Sequence, residues 1–159
     1  MKTTLLKLPL IALLAFSFVF VACSDDDDPS VADQIEGTWK VTSVFIKQGT
    51  NPEVETTSSI EACDLDNLTV YSSDNTYQVT EGTDKCDPSD PDIVESGTWS
   101  LIDGDSKLIN DPNEAGEESD TLTIVSISNS QAEFTETEQV QVSPDSTFTN
   151  VIRFIVAKQ

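Results

Sequence analysis

Histidine is absent from the 159 residues of this chain. That one gap removes Ser-His-Asp and Cys-His catalysis, histidine-bound zinc and a histidine pH switch. Basic residues are scarce: 8 Lys and Arg stand against 29 Asp and Glu, for a net charge of −21. Without clustered Lys and Arg the chain has no grip on phosphates, which excludes nucleic acid as a partner. It has no electrostatic attraction to anionic lipid either. No G-x-S-x-G elbow, Walker A loop or Rossmann glycine pattern occurs. The longest apolar run, positions 8–21, is broken only by Pro9 and Ser17. It falls short of the roughly 20 residues that a membrane helix needs. The expectation is a protein that is not an enzyme and carries no cofactor and no metal.

That apolar run reads as the core of a signal peptide over residues 1–22, with Lys2 and Lys7 as its positive start. It ends Phe20-Val21-Ala22-Cys23. This string resembles the lipobox of bacterial lipoproteins, although Phe20 stands where Leu is usual. The resemblance implies cleavage before Cys23 and attachment of lipid to it, so that contact with the membrane is through the anchor alone. Ser24-Asp25-Asp26-Asp27-Asp28 follows. Adjacent carboxylates repel one another and build no core, so residues 23–32 form a solvated acidic tether. The tether also resembles the export signal of surface lipoproteins in Bacteroidetes, with a plain spacer as the alternative. The expected location is the outer membrane, lipid-anchored and facing the cell surface, or else facing the periplasm. Beyond position 22 the charge is 6 − 29 = −23, since Lys2 and Lys7 leave with the signal.

Three cysteines make an odd count. With Cys23 taken by lipid, Cys63 and Cys86 remain in an oxidising compartment. Paired, they close a loop of about 24 residues, worth about 3 kcal/mol on the chain-entropy account. Two free thiols are the alternative. A zinc site lacks the further ligands it requires.

Past the tether, Ser30-Val31-Ala32-Asp33 carries a capping signal and Gly37 ends the turn, so one short helical turn fits. The apolar period then switches to two. Trp39, Val41 and Phe45 alternate with polar residues, as do Leu68 with Val70, Tyr77 with Val79, Trp99 with Leu101, and Leu122 with Ile124. Such alternation marks half-buried strands. Asp74-Asn75, Asp103-Gly104-Asp105, Asn129-Ser130 and Pro144-Asp145 supply turns. Eight strands are predicted, at 37–47, 66–72, 76–82, 94–102, 106–110, 120–128, 132–142 and 148–157. Segments 48–62 and 83–93 are longer loops, and 111–119 is an acidic connection. Short connections favour antiparallel neighbours. The fold class is all-β: an eight-stranded antiparallel up-and-down barrel, closed so that no sheet edge is left. An open sandwich is the alternative.

Ile35-Glu36-Gly37-Thr38-Trp39 resembles the G-x-W opening of the first lipocalin strand. The order Gly37-Thr38-Trp39, Cys63, Cys86, Gly97-Thr98-Trp99 is similar to that of the lipocalin-like lipoproteins of Bacteroidetes. The likeness covers residues 33–159, but no counterpart of the further lipocalin motifs is present. It implies that Gly37, Trp39 and Arg153 close the barrel. Arg153, the only Arg in the chain, is expected on the last strand with its guanidinium across the Trp39 indole. An eight-stranded barrel either fills with side chains or keeps a cavity. The inward set is expected to be Val41, Phe45, Leu68, Val70, Tyr77, Val79, Trp99, Leu101, Leu122, Ile124 and Phe134, a list that also suits an ordinary core.

Two carboxylates, Glu136 and Glu138, share a strand face with Phe134. No second feature makes them a glycosidase pair, and they read as solvated at a wet barrel mouth. Positions 84–95 end in Glu as an EF-hand loop does, but Cys86, Pro88 and Ser89 stand where ligands and the turn Gly belong. The functional expectation is a cell-envelope lipoprotein binding a small apolar or amphipathic molecule. The alternative is a surface interaction or protease-inhibitor-like module with a filled core, its protein partner unknown. A cavity above about 300 Å3 favours the first.

Overall fold

The computed structural model describes residues 28–143 and 146–159. The signal peptide, Cys23 and most of the acidic tether lie outside the described residues. One short helix precedes nine strands. In α1 (Val31–Ile35) the Ser30 hydroxyl accepts from the Asp33 N–H at 3.1 Å, and the Asp33 carboxylate accepts from the Ser30 N–H at 3.0 Å. This reciprocal box satisfies donors that a one-turn helix otherwise leaves bare.

The strands are β1 (Gly37–Gln48), β2 (Val54–Glu55), β3 (Leu68–Tyr71), β4 (Thr76–Thr80), β5 (Ile93–Ile102), β6 (Lys107–Pro112), β7 (Asp120–Ile127), β8 (Gln131–Ser143) and β9 (Ser146–Lys158). All pairs are antiparallel. From β3 to β9 each strand pairs with the next, and β1 pairs with both β3 and β9. Eight strands thereby close into a barrel. The two-residue β2 adds to β1 at Phe45 and Ile46, above the point where β3 departs. It falls in the segment 48–62, expected as plain loop. The Asp103-Gly104-Asp105 turn holds all three residues at positive φ, as this tight hairpin requires.

Closure runs from the Trp39–Lys158 pair to the Gln48–Asn150 pair, with a bulge between Val41 and Ser43. The bulge matters because one extra residue exchanges the faces of everything after it. Before it, Trp39 and Val41 face inward. After it, Val44 pairs with inward-facing Phe154, and Phe45 pairs with Arg153 on the outer face.

One end of the barrel is blind. Ile35 of α1 is fully buried there, packed with Trp39, Tyr71, Tyr77, Trp99, Leu108, Ala132, Phe134 and Val156. The Trp39 Nε1–H donates to the Ile35 carbonyl at 2.7 Å, and the Trp99 Nε1–H donates to the Ser72 carbonyl at 3.0 Å. Each indole thus buries its area with its one donor satisfied. Tyr71 packs edge-on against Trp99, ring centroids 5.9 Å apart. Gly97 is obligatory beside this cluster, since a Cβ there would lie 2.7 Å from the Tyr77 ring and 2.2 Å from the Asp111 carbonyl oxygen.

Candidate functional site

Above the aromatic floor the barrel keeps a cavity of 210 Å3. It opens toward the end where β6 finishes and β7 begins. Trp39, Tyr71, Phe134 and Val156 form its base, and Val41, Thr69, Leu122 and Phe154 its walls. Three polar side chains complete the lining: Asn110, Asp120 and Glu136. The volume lies below the 300 Å3 mark set for a roomy binding pocket, yet the core is not filled.

The register explains how these groups converge. Asn110 on β6 pairs with Trp99 on one side and with Asp120 of β7 on the other. Paired residues share a face, so Asn110 and Asp120 both turn inward. Glu136 lies two residues beyond Phe134 on β8 and shares its face. The Asn110 Nδ2–H donates to the Tyr71 hydroxyl at 3.1 Å. Its Oδ1 accepts from no group among the described residues, although Asn110 is only 9% exposed. The Tyr77 hydroxyl donates to the Glu95 carboxylate.

Electrostatics in the cavity run in one direction. Burial lifts the Tyr71 phenol to about 12, an effect that its Asn110 hydrogen bond opposes and that the carboxylates of Glu95 and Asp120 reinforce. Tyr77 is pushed up more strongly, first by burial and then by its bond to Glu95. Asp120 stands where the cavity meets solvent. Partial desolvation lifts its carboxyl above the ordinary range, with Glu95 and Glu117 adding like charge. Glu136 is lifted the same way, by desolvation and then by Asp120 and Glu138. Among the described residues, no Lys or Arg lines this cavity.

Several expected positions require correction. Val41, Leu122 and Phe134 lie on the cavity wall. Tyr77 and Trp99 belong to the buried floor cluster, with Val79, Leu101 and Ile124 packed against it. Leu68 and Val70 face outward, because β3 pairs Thr69 with Trp39 and Tyr71 with Gly37. Those partners turn the odd positions of β3 into the barrel. Phe45 faces outward because of the bulge. Arg153 does not reach Trp39: it faces outward over the Phe45 ring at 3.9 Å and bonds Glu53, Nε to Oε1 at 3.0 Å. The cation above Trp39 is Lys158, whose Nζ lies 5.1 Å from the ring centroid and donates to the Gln34 carbonyl at 3.0 Å. Gly37 has φ +127°, and a Cβ there would fall 2.4 Å from the Lys158 stem. Cys63 and Cys86 are disulfide-bonded, tying the loop before β3 to the loop before β5.

Asn110 and Asp120 were missed as lining residues, although each carries a signal. Asn110 follows the core residue Leu108 at strand spacing, and Asp120 precedes Leu122 and Ile124 in the same way. Lys158 has no comparable signal, since its role depends on register.

An eight-stranded antiparallel barrel with a helix closing one end and a cavity within is the architecture of a ligand-binding or carrier-like module. The family model described as a lipocalin-like domain matches residues 35–134. The chain belongs to the lipocalin-like domain family, and the remainder of β8 together with β9 completes the barrel beyond the matched segment. No curated protein matches the chain.

Proposed function

We propose that the protein is a lipid-anchored cell-envelope lipoprotein whose barrel binds a small amphipathic molecule. The observation that carries the binding reading is the cavity of 210 Å3, with aromatic and aliphatic walls and three polar groups on one side. A few convergent polar groups in an apolar pocket are what orient a small ligand. An apolar cavity of about 150 Å3 takes a benzene-sized guest. The volume here therefore suits one ring with a short chain, and a longer molecule would project through the mouth. The anchor reading is supported by Phe20-Val21-Ala22-Cys23 and the acidic run behind it.

Ligand-observed NMR tests the binding reading. Saturation transfer is measured to 2-phenylethanol, 2-phenylethylamine and 3-phenylpropionate, first with the wild-type barrel and then with Leu122→Trp, which fills the cavity. At least one compound is expected to receive transfer from the wild type and lose it in the variant. Transfer to none of the three, or equal transfer in both proteins, overturns the reading in favour of an interaction module. For the anchor, Cys23→Ala is expected to move the protein out of the detergent phase, and unchanged partitioning refutes lipidation.

A further inference from the structure

We infer that the cavity selects a protonated amine: an ammonium group on a one-ring or short aliphatic body, held by Asn110, Asp120 and Glu136 above an aromatic floor. The inference rests on the binding reading above and goes beyond it in naming the chemical class of the ligand.

The first observation is the orphan acceptor. Asn110 lines the cavity and is nine-tenths buried, one amide N–H is used on Tyr71, and its Oδ1 has no donor among the described residues. A buried carbonyl without a donor is costly, and native proteins seldom leave one. A ligand N–H would satisfy it. The second observation is independent: the two charged groups on the lining, Asp120 and Glu136, are both carboxylates. Ionised carboxylates only accept hydrogen bonds. Of the remaining polar lining, Thr69 is a hydroxyl of either polarity and the Tyr71 oxygen already accepts from Asn110.

The protein's own cations near the barrel are engaged elsewhere. Lys40 pairs with Asp66 at 2.8 Å, Arg153 with Glu53 on the outer face, and Lys158 with the Gln34 carbonyl. Among the described residues the lining carboxylates therefore lack a counter-ion, and like charges on Glu95, Glu117 and Glu138 press on them. An arriving ammonium would meet three acceptors on one side. The face of Phe134 below it attracts cations through its ring quadrupole, whereas Trp39 already carries Lys158. A carboxylate ligand would be repelled by both lining carboxylates, an effect reinforced by the net charge of −21, with the Thr69 and Tyr71 hydroxyls as its donors.

The test is the affinity series 2-phenylethylamine, 2-phenylethanol and 3-phenylpropionate at neutral pH, measured by NMR titration with the wild-type barrel. The amine is expected to bind about tenfold or more tightly than the alcohol, as charge-assisted bonds exceed neutral ones, and the acid to bind most weakly. Equal affinities, or a preference for the acid, overturn the amine assignment while leaving the cavity a binding site. Binding of none of the three removes both readings. The paired isosteres Asp120→Asn and Glu136→Gln are then expected to bring the amine-to-alcohol ratio toward one. A ratio unchanged in a folded double variant refutes the roles given to these two carboxylates. The wild-type series decides the ligand class even if that variant does not fold.

Discussion

Lys158→Met isolates the contact that joins the two ends of the barrel. Methionine keeps most of the apolar stem that fills the space beside Gly37 and deletes the ammonium. Two interactions go with it: the bond to the Gln34 carbonyl at 3.0 Å and the cation over Trp39 at 5.1 Å. A hydrogen bond from a charged donor contributes about 1.5–3 kcal/mol when its partner is left bare. A cation–ring contact at a half-exposed site adds about 0.5–1 kcal/mol. Lys158 and Gln34 are both only half-buried, so water recovers part of this, and the net loss expected is about 1–3 kcal/mol. One kcal/mol lowers Tm by about 3–5 °C in a domain of this size. The expected drop, read by calorimetry, is therefore about 3–15 °C. Lys158→Arg should recover more than half of it. A double-mutant cycle with Trp39→Phe should show coupling for Lys158 and none for Arg153. A Lys158→Met barrel melting within 1 °C of wild type, or coupling of Trp39 to Arg153 instead, would refute this account of closure.

Opening the disulfide with Cys63→Ser and Cys86→Ser should cost about 3 kcal/mol, seen as a lower denaturation midpoint. The wild-type domain should show no reactive thiol at Cys63 or Cys86 under denaturing, non-reducing conditions, and labelling of either contradicts the bond. Arg153→Lys loses both the fork to Glu53 and the flat contact with Phe45. About 1 kcal/mol of destabilisation is expected, and no coupling to Glu53→Gln would show the fork to be idle. The lifted carboxyls of Asp120 and Glu136 hold protons more tightly folded than unfolded, so their ionised forms oppose folding at neutral pH. That penalty is relieved as pH falls through the raised values toward the ordinary carboxylate range. Asp120→Asn with Glu136→Gln should accordingly raise Tm at pH 7, and the gain should shrink on acidification toward pH 4. A gain that grows on acidification would reverse the sign of the argument.

Alternation of apolar and polar residues makes the barrel legible in the sequence, and Cys63 and Cys86 give its bridge, whereas Trp99 reads there as cavity lining and lies in the floor. The phase of the alternation was harder to read. In β1 the odd positions 39, 41 and 45 look like one face, but the extra residue at Thr42 turns Phe45 out and Val44 in. In β3 the apolar pair Leu68 and Val70 looks more core-like than Thr69 and Tyr71. The neighbouring strands decide the matter, because Trp39 must face the floor and carries Thr69 with it. The same reasoning separates the two cations of β9. Arg153 shares a face with Phe45, whereas Lys158 pairs with Trp39. Period is a local property of sequence, while phase depends on register and bulges, which are set by distant strands. Of the two lining acids only Glu136 is singled out by the sequence, grouped with Glu138 as a solvated pair. Only the packing of β6 against β7 brings Asn110 and Asp120 to the same wall.

The helix that plugs the barrel also sets the end of the cup at which the chain enters it. Residues 28–30 lead directly into α1, and α1 seals the blind end beneath Trp39. The chain thus arrives at the base of the cup, and the rim, stitched by Cys63 and Cys86, lies at the opposite end. A tether fastened upstream would hold the base toward its support and turn the opening away from it. Molecules would then enter and leave through a single aperture facing the surroundings, with no route through the floor into the surface behind. Under the proposed lipid anchor, such an arrangement would suit capture from outside and would be poorly shaped for passing a molecule into the membrane.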